Sequence, residues 1–126
     1  FASRGEEFLK NLNQIRSYAS NIHDNARKQE RDFLNQDVET RLYYANFIDE
    51  LSKMNEILSA VQFDANEILS GTSTNAMLFE NITNDLITVR QHAQKLYEAS
   101  KLPENKKYLN DIIENVSEMI KVSFES

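Results

Sequence analysis

Two arginines with helical spacing are the residues best suited to bind a ligand in this chain. Arg27 and Arg31 are four residues apart in the stretch "NARKQERDFLNQD" at 25–37, so on a helix they lie one turn apart on one face. A guanidinium group presents a planar set of donors that matches a carboxylate. We expect the pair to bind an anion once a second subunit or a neighbouring helix end covers it. An ordinary surface, with Arg27 paired to Glu30, is the alternative.

Lys107 and Tyr108 are predicted to form a second wall of this anion site. Both follow Pro103, at the start of a helix whose free N–H groups favour negative charge. The predicted ligand-binding set is therefore Arg27, Arg31, Lys107 and Tyr108. We expect no metal and no cofactor, because neither histidine belongs to a Glu-x-x-His pair and the chain has no glycine-rich phosphate loop.

His92 and Lys95 raise a different possibility. Their spacing resembles that of histidine phosphotransfer domains, which are also four-helix bundles and carry an exposed histidine followed three residues later by lysine. Leu96 stands where those domains carry glycine. Phosphotransfer is therefore a weaker alternative, and the simpler interpretation is a solvated histidine. No serine is paired with a histidine by spacing, and we expect no enzymatic activity.

The elements that must position these residues are helices. Apolar residues recur in alternating steps of three and four, the spacing of helices packed in a bundle. The four predicted series are Phe8, Leu12, Ile15, Ala19, Ile22, Ala26 and Phe33; Tyr44, Phe47, Leu51, Met54, Leu58, Val61, Ala65 and Ile68; Phe79, Ile82, Leu86, Val89, Ala93, Leu96 and Ser100; and Leu109, Ile113, Val116, Ile120 and Phe124.

These series predict an all-α, antiparallel up-down-up-down four-helix bundle in a single domain, 1–126. The predicted helices cover about 5–35, 37–70, 75–101 and 104–125. Gly71 is a natural C-terminal cap, and Pro103 suits the first turn of a helix. The spacing of the first two series is interrupted at 35–37. Either a turn lies there, with Asn35 or Asp37 as the N-terminal cap of the second helix, or one long helix has a stutter there.

The charges are unevenly distributed over this bundle. The net charge is −6, which disfavours nucleic acid as a partner because phosphate neutralisation dominates such binding. The half around the 35–37 and 101–104 connections holds nine of the fourteen basic residues and ten of the twenty acidic ones. That end is therefore relatively positive, in agreement with an anion site there.

The stretch "ARKQERDFLNQD" resembles the end of the first helix in the extracytoplasmic helical-bundle sensor domains of bacterial chemoreceptors and sensor histidine kinases. Aspartate-type receptors carry arginines four apart there, matched by Arg27 and Arg31, whereas their further ligand arginine falls on Ile22. The resemblance implies a periplasmic or extracellular signal-input domain in a membrane-anchored parent protein. It also implies a homodimer through the first helix, and a small ligand, here an anion, at the membrane-distal end.

A helical protein–protein interaction or structural module is the main alternative. In that case the apolar series serve only packing. Membrane segments flanking the domain in its parent chain favour the sensor, whereas an uninterrupted helical array favours the scaffold.

Overall fold

A computed structural model describes residues 5–32, 37–71 and 76–123, and in this part of the chain all regular structure is helical. The four helices are α1 (Gly5–Asp32), α2 (Val38–Leu69), α3 (Ala76–Ala99) and α4 (Pro103–Ser123). Packing occurs between α1 and α2, α2 and α3, α3 and α4, and α1 and α4. The predicted four-helix bundle is confirmed.

Cross-helix contacts show that neighbouring helices run antiparallel. Gly5, at the start of α1, lies against Leu69 at the end of α2, and the Tyr43 hydroxyl of α2 donates to the Ala99 carbonyl at the end of α3. The α1–α2 and α3–α4 connections therefore share one end of the bundle, which we call the distal end. The start of α1 and the end of α4 lie at the other end.

The core is a continuous apolar column along the bundle axis. The predicted series of α1 and α2 are buried, apart from Ile68, which is half-buried. In α4 the predicted stripe was partly wrong, since Ile112 is fully buried and Ile113 is only half-buried. Asn105 occupies the next core position toward the distal end, so the true stripe of α4 runs through Asn105, Leu109, Ile112, Val116 and Met119. Phe33 and Phe124 lie outside the described residues.

Asn105 is a polar residue in this column. It is 2% exposed, and its side-chain carbonyl accepts a hydrogen bond from the Asn25 amide at 3.0 Å. Since a buried amide without partners is costly, this bond fixes the register between α1 and α4. A polar residue at a core position of a packed helix commonly has this role.

The distal connection between α1 and α2 is a break between two helices. Asp37 caps α2, because its side chain accepts the Thr40 N–H at 3.1 Å, and α1 packs against α2. The stutter is therefore wrong. Residues 33–36, including the predicted end of the first helix at 35, lie outside the described part of the chain.

The two other helix junctions follow from a glycine and a proline. Gly71 has φ +75°, and its N–H donates to the Ile68 carbonyl, so it ends α2 as expected. We expected α3 to continue to 101, but it ends at Ala99. Pro103 explains this, because it restricts the residue before it and already forms the first turn of α4.

Candidate functional site

The two predicted ligand arginines lie on the outer surface of α1 near the distal end. Both are exposed. Arg27 donates from Nη1 to Glu30 Oε1 at 3.1 Å, and Arg31 lies one turn further along. The pairing of Arg27 with Glu30 is the contact expected for an ordinary surface. Glu30 itself lines a groove that α1 forms with α2.

This α1–α2 groove is lined by Glu30, Val38, Arg41, Leu42 and Ala45. Arg41 is exposed in the first turns of α2, which adds a cation that the sequence did not single out. Val38 and Leu42 are 77% and 58% exposed. The groove therefore combines an apolar edge with the Arg41 guanidinium and with the Glu30 carboxylate, which is paired with Arg27.

Lys107 and Tyr108 do not join this group. Lys107 is exposed on α4, whereas Tyr108 is half-buried and packs on Tyr18 of α1 with ring centroids 5.4 Å apart. The Tyr108 hydroxyl lies 3.4 Å from Glu104 Oε1. Tyr18 precedes Arg27 by nine residues, about 13 Å along a helix. The structure thus places Arg27 and Arg31 together and leaves Lys107 and Tyr108 apart from them, on the α4 side of α1.

A second concave surface lies between α2 and α3, also toward the distal end. This α2–α3 cleft has a volume of about 270 Å³ and is lined by Tyr43, Asn46, Phe47, Glu50, Lys95, Leu96 and Ala99. Phe47 and Leu96 are core residues whose edges form its floor. The cleft combines an apolar floor with charged residues from two helices.

Glu50 and His92 connect the two helices beside this cleft. His92 Nδ1 lies 2.5 Å from Glu50 Oε1, and both side chains are about one-fifth exposed. The hydrogen bond from His92 holds the pKa of the Glu50 carboxyl below its ordinary value, against the opposing effect of burial. Since an ionised carboxylate only accepts hydrogen bonds, His92 is the donor in this contact.

Tyr43 forms the distal wall of the cleft. Its hydroxyl donates to the Ala99 carbonyl, and Lys101 Nζ lies 4.1 Å from the centroid of its ring. Burial raises the pKa of the Tyr43 hydroxyl, and the neighbouring Tyr44 adds to this. The hydroxyl therefore stays protonated and the ring is held in place by a hydrogen bond to α3.

The cleft and the Glu50–His92 contact were missed by sequence reasoning. A solvated His92 was expected, which is wrong because Glu50 covers Nδ1. Both residues flank their apolar series by one position, Glu50 before Leu51 and His92 before Ala93. A polar residue next to a core position can reach a neighbouring helix, so each position is a signal for a cross-helix contact. The sequence alone does not give the register between α2 and α3, and therefore does not show that Glu50 and His92 contact each other.

Phosphotransfer at His92 stays a prediction. Lys95 is exposed and Leu96 is 1% exposed, so the position after the lysine is a core residue as expected. Across the described ranges, histidine, aspartate and glutamate form no cluster of three suited to a metal ion. Nor do the helices described here include one that is long and apolar enough to span a bilayer.

Comparison of the chain with known protein families, with characterised proteins and with solved structures finds no significant match.

Proposed function

We propose that this chain is a ligand-binding signal-input domain of a bacterial transmembrane receptor, either a chemoreceptor or a sensor kinase. The observation that supports the proposal best is the arrangement of the bundle. The start of α1 and the end of α4 lie at one end, and exposed arginines of α1 and α2 lie at the other. Ligand binding at the distal end can therefore bias the helices that lead away from it.

The proposed ligand is a small anion held by Arg27 and Arg31, with Arg41 across the α1–α2 groove. Guanidinium groups suit carboxylates and related anions, and an anionic ligand would compete with Glu30 for the Arg27 guanidinium. A ligand contacting α1 and α2 together has a different affinity for each arrangement of the two helices. That difference sets the size of the signal.

The resemblance of the first helix ending to extracytoplasmic sensor domains also favours this function. On this proposal the domain lies in the periplasm or outside the cell, in a parent chain anchored by membrane helices. It forms a homodimer through α1, and the second subunit covers the outward arginines.

The double substitution Arg27→Ala/Arg31→Ala tests the site assignment. We expect it to abolish the rise in melting temperature caused by an anionic ligand, because both guanidinium groups are lost. The unliganded melting temperature should stay unchanged, because both side chains are exposed. Lys10→Ala/Lys53→Ala, which removes two exposed cations elsewhere, is the matched control. Ligand stabilisation that survives in the arginine variant would refute the assignment.

One observation favours the second candidate, a helical protein–protein interaction module. Large apolar residues are exposed on α2 and α3, namely Val38, Leu42, Phe63, Met77 and Tyr97. Membrane segments on both sides of the domain in the parent gene favour the receptor. A continuous soluble helical array in that gene favours the interaction module.

A further inference from the structure

Exposed apolar residues form one edge of the α1–α2 groove. Val38, Leu42 and Ala45 line it from α2, and their spacing places them in one stripe along one face of that helix. Val38 and Leu42 are 77% and 58% exposed, and Ala45 is exposed as well. The stripe is about 10 Å long, or two turns of a helix. Adjacent exposed apolar side chains beside charged ones are typical of a surface that contacts another protein.

The groove is too open to enclose the apolar body of a small molecule. Small-molecule pockets bury about 70–90% of the ligand surface, whereas the Val38 and Leu42 side chains lie mostly in solvent. Covering them requires a partner with an extended apolar face of its own. The burial of both apolar surfaces then supplies the binding energy.

A helix is the partner element that suits this groove. Beyond the first turn of α2, the backbone groups on both sides are hydrogen-bonded within their own helices. An extended peptide would find no backbone partners there for its N–H and C=O groups. A helix satisfies its own backbone and can lay an apolar face along the groove between two other helices.

The charges of the groove favour an acidic partner. Arg41 lines the groove, is exposed, and forms no ion pair within the described ranges. Glu30, the carboxylate of the groove, is paired with Arg27 at 3.1 Å, which offsets its charge. The charge left without a partner in the groove is therefore positive and complements a carboxylate.

The acidic residues near Arg41 on α2 have other partners. The Asp37 side chain accepts hydrogen bonds from the Thr40 N–H at 3.1 Å and from the Thr40 hydroxyl at 2.9 Å. Asp49, beyond the stripe, pairs with Lys53 at 3.4 Å. The Arg41 guanidinium is thus available to a carboxylate of a bound helix.

We propose that the α1–α2 groove binds an acidic amphipathic helix of a partner protein. The apolar face of that helix covers Val38, Leu42 and Ala45, and a carboxylate beside this face pairs with Arg41. The interaction goes beyond the small-anion function, because its anchors are apolar and the Arg27–Glu30 pair stays intact. It does not depend on the receptor topology proposed above.

The test is a titration of the 15N-labelled domain with a synthetic amphipathic peptide about 18 residues long, enough to form a helix. The peptide carries leucines on one face and glutamates on the other, and a second version carries glutamines in place of the glutamates. We expect saturable amide shifts at Val38, Leu42 and Ala45. The glutamate peptide should bind about two- to fivefold more tightly than the glutamine peptide. Arg41→Gln should remove that difference.

Leu42→Gln tests the apolar anchor. It should weaken binding of both peptides about tenfold or more, because a buried leucine contact is lost. Phe63→Gln is the matched control, since Phe63 is another exposed apolar residue of α2, 64% exposed, outside the groove. Far-UV circular dichroism of each variant shows that loss of binding is not loss of the helices.

Three results would overturn the proposal. One is equal affinity of Leu42→Gln and Phe63→Gln for the peptides. Another is equal affinity of the two peptides for the wild-type domain, which would mean that the groove does not select an acidic partner. The third is self-association of the domain that Leu42→Gln abolishes, without peptide binding, which would assign the stripe to a second copy of this chain. None of these results depends on whether the domain also binds a small anion.

Discussion

Two carboxylates between α2 and α3 have opposite environments: one is stabilised in its ionised form by a contact across the helices, and the other is destabilised. Near the distal end, the Glu50 carboxylate accepts a hydrogen bond from His92. Toward the other end, Asp85 of α3 is partly desolvated and lies near Asp64 of α2. The first contact favours the ionised carboxylate, whereas the second environment disfavours it. The two residues should therefore respond to pH in opposite directions.

Glu50→Gln should reduce the pH dependence of stability in acid. The Glu50 pKa is lowered, chiefly by the hydrogen bond from His92, from an ordinary value of 4.5. Its contribution to the free energy of unfolding is therefore present above about pH 4.5 and is lost as pH falls through the native-state pKa. Partly exposed pairs of this kind contribute up to about 1 kcal/mol. Urea denaturation at neutral and acidic pH measures the effect.

Asp49→Asn is the control for this experiment. Asp49 is the neighbouring carboxylate, but it is exposed and its partner Lys53 lies on the same helix. We expect it to leave the free energy of unfolding within a few tenths of a kcal/mol of the wild type. Identical behaviour of Glu50→Gln and Asp49→Asn would contradict a structural role for the Glu50–His92 contact.

Asp85→Asn should stabilise the bundle at neutral pH. Burial, and secondly the Asp64 carboxylate, raise the pKa of Asp85. Because the native state then binds the proton more tightly than the unfolded chain, stability declines as pH rises through the native-state pKa. The asparagine variant lacks this decline, so its advantage should be present at pH 7 and absent near pH 3. Glu80→Gln, at an exposed position of the same helix, should show no such difference.

The helices themselves were largely predictable from local signals. Asp37, Gly71 and Pro103 each mark a boundary by their own chemistry, as cap, left-handed residue and helix-starting residue, and each has that role in the structure. The α1 and α2 cores follow from heptad spacing alone. The α4 stripe was misplaced because Asn105 in the core is polar, and a search for apolar residues shifts the series toward Ile113.

Gly71→Ala should destabilise the end of α2. Gly71 has φ +75°, a conformation in which a Cβ atom is strained even though nothing lies within 4 Å of it. We expect the free energy of unfolding to fall by about 1 kcal/mol in chemical denaturation. Gly71→Asn should lose less, because asparagine tolerates the left-handed conformation better. An alanine variant as stable as the wild type would argue against this cap.

Contacts between helices depend on how the four helices are aligned and rotated in the bundle, which the sequence does not give. Cross-helix sites depend on the register between helices, and the α2–α3 cleft needs Tyr43 and Ala99 at one level. Sequence reasoning placed Lys107 and Tyr108 near the arginines because all four belong to the distal half. It lacked the rotation of α4, which turns Tyr108 toward Tyr18.

The proposed dimer through α1 is tested at this scale. The outward face of α1 carries Asn13, Ser17 and Ser20, all exposed, and the described part of this helix has no large exposed apolar residue, so a dimer through this face is polar and weak. We expect the domain to sediment as a dimer at high concentration and Ser17→Lys/Ser20→Lys to make it monomeric through charge repulsion. Gln91→Lys/Gln94→Lys, at exposed positions of α3, is the control and should remain dimeric. Equal sedimentation of the two variants would exclude this interface.

The measurement that tests the central claim most directly is a thermal-unfolding screen of the purified domain against small carboxylates, amino acids, nitrate and phosphate. A ligand that binds only the folded state adds about 2.7 kcal/mol at 100 times its dissociation constant. A signal-input domain for anions predicts a clear, saturable rise in melting temperature with one of these classes. The absence of any rise would contradict the claim that the domain senses a small anion.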